Sequence, residues 1–212
     1  STILDALAAA LTHRGPDSGG RYVAGDVGMV HTRLAIIDLK TGDQPLYGDG
    51  GLVLVANAEI YNHIELRESL GGETFATGSD CETSLPLYLR HDLDYVNYLR
   101  GMYAIALHDP ARERLMLSRD PFGIKPLYYA ETTWGLAFSS EPRALVSAGL
   151  VVAEEYSHSR DEVLQLQFST GRETPLVKIM RVLPGETLVV EGGRVVARRC
   201  LDALPRGAPE ET

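Results

Sequence analysis

The chain has 212 residues, 44% of them apolar and 23% charged, with a formal net charge of −9 from 29 acidic and 20 basic side chains. That length buries a core without staples, and the acidic balance argues against a nucleic-acid binder, which needs a basic face, and against an anionic membrane surface. Cys81 and Cys200 are too few and too far apart for a disulfide framework or a zinc site, which fits a reducing, cytoplasmic setting, and no apolar run approaches the roughly 18 residues of a membrane span.

The first element is an amphipathic helix over 2–12, with Ile3, Leu4, Leu7 and Leu11 at helical spacing and Ser1 or Thr2 as its cap. It is too short, lacks a basic flank and carries Asp5, so it does not read as a signal peptide. "HRGPDSGG" breaks it with Pro and Gly. "RYVAGDVGMVHTRLAIIDL" reads as two strands, "KTGDQPLYGDGG" as a long turn, and "LVLVANAEI" as a further strand. "NHIELRESL" reads as a helix capped by Asn62 with Glu65 three residues on. "SDCETSLPLYLRH" is another helix, with Pro86 near its first turn, and "DLDYVNYL" a short one.

Four strands follow as an antiparallel meander: "MYAIALHDP", "RERLMLSR", "PLYYAET" and "WGLAFSS". "EPRALVSAG" is a short helix ended by Gly149, "RDEVLQLQF" a second, and "ETLVVEGGRVVARRC" a hairpin turning at "EGG". Strands and helices come in blocks, which favours a layered α+β fold over a doubly wound parallel sheet. Residues 1–200 form one domain on this reading, and 201–212 a linker or frayed tail.

Several chemistries are missing. There is no "GxxxxGK[ST]" or "GxGxxG" phosphate loop, no "HExxH", no paired "CxxC" and no "GxSxG". The six histidines are scattered, and no metal site is expected. Each remaining polar cluster has a plain structural account when taken alone. "HRGPD" is a loop after a helix, Arg33 a strand arginine, Asn57 a strand-end turn residue, and "TGSDCE" a helix N-cap at Ser79 or Asp80.

Together, "HRGPD" (13–17), "HTRLAIID" (31–38), "NAEIYNH" (57–63), "TGSDCE" (77–82), "LRGMYAIALHD" (99–109) and "SRDPFGIKPLYYA" (118–130) occur in an order and spacing that closely resembles the glutaminase domain of the asparagine synthetase family, the class II glutamine amidotransferases. The match runs from about His13 to Leu150, with a weaker echo in "RVLPGETLVV". The resemblance implies an N-terminal-nucleophile hydrolase fold, a four-layer α/β/β/α sandwich of two antiparallel sheets. It implies glutamine hydrolysis that supplies ammonia to an ATP-dependent synthetase domain, with no cofactor in this domain and ATP and Mg²⁺ needed only in that partner. L-glutamine is then the ligand, and a homodimer stays open.

The same resemblance places Arg33 on the glutamine α-carboxylate, a fit for its charge-assisted fork. It places Asp80 on the α-ammonium, and Leu34, Ala35, Ile36 and Ile37 beside Arg33 as backbone contacts. The Asn57 amide and the Ala58 N–H form an oxyanion hole, and Glu59 touches substrate. Cys81 belongs to a helix start and is not the nucleophile.

Two departures stand out. The family's opening strand, with an N-terminal cysteine followed by Gly, is not among the twelve residues before His13, and Ser1 leads into a helix rather than a strand. On that reading this chain alone is expected to be inactive. The family's "NGE" is "NAE" here, which costs about 1 kcal/mol if that position needs positive φ. The synthetase signature "SGGxDS" is also missing. A degenerate, non-catalytic scaffold is the main alternative, and an N-terminal-nucleophile hydrolase of another amide the weaker one.

Overall fold

A computed structural model describes residues 2–34 and 42–201, apart from the side chains of 158 and 159. Ser1, Ala35, Ile36, Ile37 and the tail at 202–212 lie outside the described residues. The opening helix is α1 (Thr2–Leu11), whose Leu4 and Leu7 are buried. Two strands follow, β1 (Ser18–Ala24) and β2 (Val27–Arg33), paired antiparallel with Ser18 opposite Arg33.

The segment read as a long turn contains a short strand, β3 (Leu46–Tyr47), and a 3₁₀ turn over Asp49–Gly51. A two-residue strand has no alternation for a sequence pattern to reveal, and β3 exists because β4 (Val53–Ile60) offers it an edge. Next come α2 (His63–Ser69), a 3₁₀ turn over Asp80–Thr83, and α3 (Ser84–His91), with Pro86 in its first turn. The segment "DLDYVNYL" is 3₁₀ rather than α, over Asp92–Tyr98. Asn62 does not cap α2 through its side chain. Its amide donates to Tyr98 O and accepts from Arg100 N–H, so a tertiary bridge takes the groups a cap would have used.

The meander is split between two sheets. Strands β5 (Gly101–Asp109) and β6 (Arg114–Arg119) lie beside β4, whereas β7 (Tyr128–Thr132) and β8 (Gly135–Ser139) pair in another sheet. Asp120 makes the switch. Its carboxylate accepts the N–H groups of Phe122, Ile124, Lys125 and Tyr103, which turns the chain out of the first sheet. The helices α4 (Pro142–Ser147) and α5 (Ser157–Leu166) follow. A two-residue strand that the sequence does not signal, β9 (Met180–Arg181), pairs with β7. The chain closes in the hairpin of β10 (Glu186–Glu191) and β11 (Arg194–Cys200).

The large sheet has the order β11-β10-β6-β5-β4-β3. Leu54, Ile105, Leu107 and Met116 on one face pack against Leu66, Leu85, Tyr88 and Tyr95 of the helical layer. Val55, Ala106, Leu117 and Leu188 on the other face pack against Met29, Leu127 and Tyr129 of the second strand layer. Behind that layer, Ala130 and Ala137 meet Leu4 and Leu7 of α1 and Leu145 of α4. The result is the four-layer α/β/β/α arrangement, in which the pleat places successive residues of each strand on opposite faces and the central strands β4, β5, β6 and β10 are buried on both.

Candidate active site

The second strand layer is in two pieces, β1-β2 and β8-β7-β9. Among the described residues no strand pairs with the outer edges of β2 and β8, apart from the single Pro16–Arg33 bridge on β2, and both border one cleft of about 740 Å³ over the large sheet. That size suits a small-molecule site. Its floor is made of small residues, Ala104 and Ala106 with Val55, and α1 closes the far side with Leu4 and Leu7.

Strand β4 delivers chemistry to this cleft through its pleat. Leu54, Ala56 and Ile60 face the helical layer and Val53 and Val55 face the second strand layer, so Asn57 and Glu59 continue the cleft-facing series. Both are half-buried and line the cleft. Ala58 packs its methyl with the helical-layer core instead. It lies inside a regular strand and is not among the positive-φ residues, so alanine carries no backbone strain there.

The backbone of β4 alternates as well. Tyr61 N–H bonds to Arg100 O, which puts odd-numbered amides on the β5 side. Even-numbered amides therefore face the other edge, where β3 reaches only Val53 and Leu54. Beyond β3, side chains take over. The Gln44 amide accepts Ala56 N–H at 2.6 Å and donates to Ala56 O at 3.0 Å. His31 Nε2 donates to the same carbonyl at 3.1 Å, and burial pushes its imidazole pKa down, keeping the ring neutral. Ile60 N–H goes to Asp80 Oδ2 at 2.5 Å. Between them, nothing among the described residues accepts Ala58 N–H.

Arg33 ends β2 and is 8% exposed. The "HRGPD" segment wraps its backbone: Asp17 N–H bonds Arg33 O, and a Cβ on Gly15 would lie 2.4 Å from Arg33 N. Only glycine permits that approach. His13 and Arg14 tie the same loop to Glu141 ahead of α4, each at 3.0 Å. Arg33 Nη1 donates to Asp43 Oδ1 at 2.8 Å, and Ser18 Oγ donates to the same oxygen at 2.9 Å. The Ser18 and Arg33 bonds hold the Asp43 carboxyl below its usual range. Leu34, 55% exposed, lines the cleft beside Arg33.

Asp80 is 4% exposed and also lines the cleft. Its turn is organised by Glu82, which accepts the N–H groups of Ala76 and Thr77 and the Thr77 hydroxyl. Burial raises the Glu59 pKa, the Asp80 charge raises it further, and Lys125 pulls it back. Cys81 is 3% exposed, and burial, reinforced by Asp80, pushes its thiol well up. It stays protonated and is unfit as a nucleophile. Cys200 ends β11, four strand spacings or about 19 Å from β4 in the sheet order.

The described members of the expected site, Arg33, Leu34, Asn57, Ala58, Glu59 and Asp80, thus border one cleft. Gln44, His31, Asp43, Glu82 and Lys125 are additions that sequence reasoning missed. Motif position hinted at His31 and Glu82, which stand inside "HTRLAIID" and "TGSDCE". Nothing local marks Gln44.

Residues 1–200 match the family described as "Glutamine amidotransferase domain". The chain belongs to that family. Among curated relatives, asparagine synthetase [glutamine-hydrolyzing] 1 of Saccharomyces cerevisiae is 42% identical over 143 residues, which is 66% of this chain and 25% of the relative. Asparagine synthetase [glutamine-hydrolyzing] 2 of Bacillus subtilis is 42% identical over 146 residues, 68% of this chain and 20% of the relative. The domain therefore spans a fifth to a quarter of these relatives' length. Among solved structures, glutamine phosphoribosylpyrophosphate amidotransferase from B. subtilis superposes with a TM-score of 0.55 at 22% identity, covering 77% of this chain and 32% of that one. That likeness is one of fold. No described helix is long and apolar enough to cross a membrane.

Proposed function

We propose that this domain binds L-glutamine in the cleft and hydrolyses its side-chain amide, handing ammonia to an ATP-dependent, asparagine-synthetase-like partner domain. The observation that carries the proposal is the open edge of β4. It turns the Ala58 N–H, which nothing among the described residues accepts, and the Asn57 amide toward a cleft that also holds a buried arginine and a buried aspartate.

In this reading the substrate α-carboxylate displaces Asp43 from Arg33, and Asp80 and Glu59 meet the α-ammonium end. The amide oxygen lies between the Asn57 side chain and Ala58 N–H. The nucleophile is a thiolate at the start of a further strand seated between β2 and β8, where two edges that no described strand pairs with offer hydrogen bonds on both sides. Its α-amine takes the thiol proton, the sulfur attacks the amide carbon, and charge gathers on the oxygen in the hole. The nitrogen leaves as ammonia, and water then cleaves the thioester to glutamate and free thiol. No cofactor takes part here. ATP and Mg²⁺ act in the partner domain, where aspartate is the acceptor to which the relatives' names point. A cytoplasmic protein that engages neither nucleic acid nor membrane completes the proposal.

A scaffold without catalysis is the competing reading. The extended Ala58, with its methyl turned from the cleft, removes one of its supports. The test is glutamine-dependent ammonia release by protein that carries the nucleophile strand. Arg33→Ala is expected to lower kcat/KM by about 100-fold or more, because a buried charge-assisted contact is lost. Turnover like wild type in that variant would sink the assignment of Arg33.

A further inference from the structure

The primary amide of Gln44 reproduces, on the edge of β4, the two hydrogen bonds a neighbouring strand would have made. Its Oε1 takes Ala56 N–H at 2.6 Å and its Nε2 gives to Ala56 O at 3.0 Å. One primary amide supplies both a donor and an acceptor, so it can stand in for a peptide unit. His31 Nε2, at 3.1 Å, fills the second lone pair of Ala56 O. Four residues further on, Asp80 fixes Ile60 N–H. The edge is thus clamped on either side of Ala58, whose N–H is left directed outward. Real strand pairing through this region would have consumed that N–H as well.

The placement of Gln44 is itself built in. Its backbone crosses β1 at Gly20, where a Cβ would lie 1.7 Å from Gln44 O. Any side chain at position 20 must displace the Gln44 segment.

We infer that Gln44 is a positioning residue of the oxyanion hole, a strand surrogate that holds the open edge of β4 so that Ala58 N–H meets the developing oxyanion, with His31 as its auxiliary. This inference rests on the glutaminase reading given above. Gln44 lines the same cleft, but both polar atoms of its amide are spent on Ala56. It acts through Ala56, and its contribution is to the transition state more than to binding, since Arg33 and Asp80 hold the other end of the ligand.

The expectations differ from those for a merely structural side chain. Gln44→Leu keeps the bulk and loses both bonds, and should lower kcat for glutamine by about 10- to 100-fold with KM within about 2-fold, somewhat less than removal of an oxyanion donor outright. Gln44→Glu keeps the acceptor for Ala56 N–H while His31 still serves Ala56 O, and should retain most of kcat. His31→Phe should cost less than Gln44→Leu, because only one of two donors to the carbonyl is lost.

A readout independent of turnover is amide hydrogen exchange in the domain. In Gln44→Leu the Ala56 amide should exchange at least about 10-fold faster, while the Asn57 and Glu59 amides, bonded to β5, stay slow. The Ala58 amide resonance should move in Gln44→Leu and return toward the wild-type position in Gln44→Glu. Gly20→Ala, which displaces the Gln44 backbone, should reproduce the Gln44→Leu pattern. Wild-type protein that carries the nucleophile strand yet releases no ammonia counts against the glutaminase reading. The exchange result then decides the clamp by itself. Unchanged Ala56 exchange in Gln44→Leu, or an active wild type whose kcat Gln44→Leu leaves intact, overturns the positioning role.

Discussion

The two halves of β4 are the same strand under different obligations. From Val53 to Ala56 both edges are taken, by β3 or the Gln44 amide on one side and β5 on the other, and both faces are dry, with no residue above 5% exposed. From Asn57 to Glu59 the pairing to β5 continues, with Ala58 opposite Tyr103, but no described strand lies on the other edge and the cleft face turns polar. The first half spends its backbone and side chains on the core. The second keeps one N–H and two polar side chains for a ligand, while β5 holds them rigid. A site on a regular strand is thereby more sharply oriented than one on a loop.

That contrast can be broken from either side. The largest effect on the core half belongs to Leu54→Ala, at 0% exposure, which should lower unfolding stability by about 3–4 kcal/mol in chemical denaturation. Asn57→Ala should do the reverse. Its stability cost stays below about 1 kcal/mol, while kcat for glutamine falls by about 100- to 1000-fold, as for an oxyanion donor elsewhere. Equal stability losses in the two variants would erase the distinction between the halves.

A smaller effect sharpens the ligand side. Asp43 is an exposed carboxylate on the guanidinium proposed to take the substrate carboxylate, so Asp43→Ala should tighten glutamine binding by about 2- to 5-fold, the scale of an exposed ion pair. Calorimetric titration would show it.

The smallest effect is electrostatic. The Glu59 carboxyl is raised above its ordinary value of 4.5 by burial and by Asp80. The folded state therefore holds that proton longer than the unfolded one, and stability falls as pH rises through the interval between the two values. Glutamine at this position cannot ionise. Glu59→Gln should then unfold at a higher temperature than wild type at pH 8, with the gap closing well below pH 4.5, where both forms are neutral.

Much of this was legible in sequence. A continuous apolar run placed β4, and the change from "LVLVA" to "NAE" marked where its role changes. The ordered motifs located Arg33, Asn57 and Asp80, because each belongs to a short segment with its own local pattern. What escaped were groups whose roles exist only after folding. Gln44 sits in a turn and finds Ala56 twelve residues away. Asn62 has the look of a cap and instead bridges to Tyr98 and Arg100. The split of the four-strand meander depends on Asp120 collecting four backbone N–H groups, which no periodicity announces.

The most direct test of the site at the open edge of β4 is a titration of the ¹⁵N-labelled domain with L-glutamine. The account predicts that the Ala58 amide, the Asn57 side-chain amide and the Arg33 guanidinium resonances shift together and saturate at one ligand concentration, with Arg33→Ala abolishing all three responses. An Ala58 amide that stays fixed while glutamine binds elsewhere would contradict it.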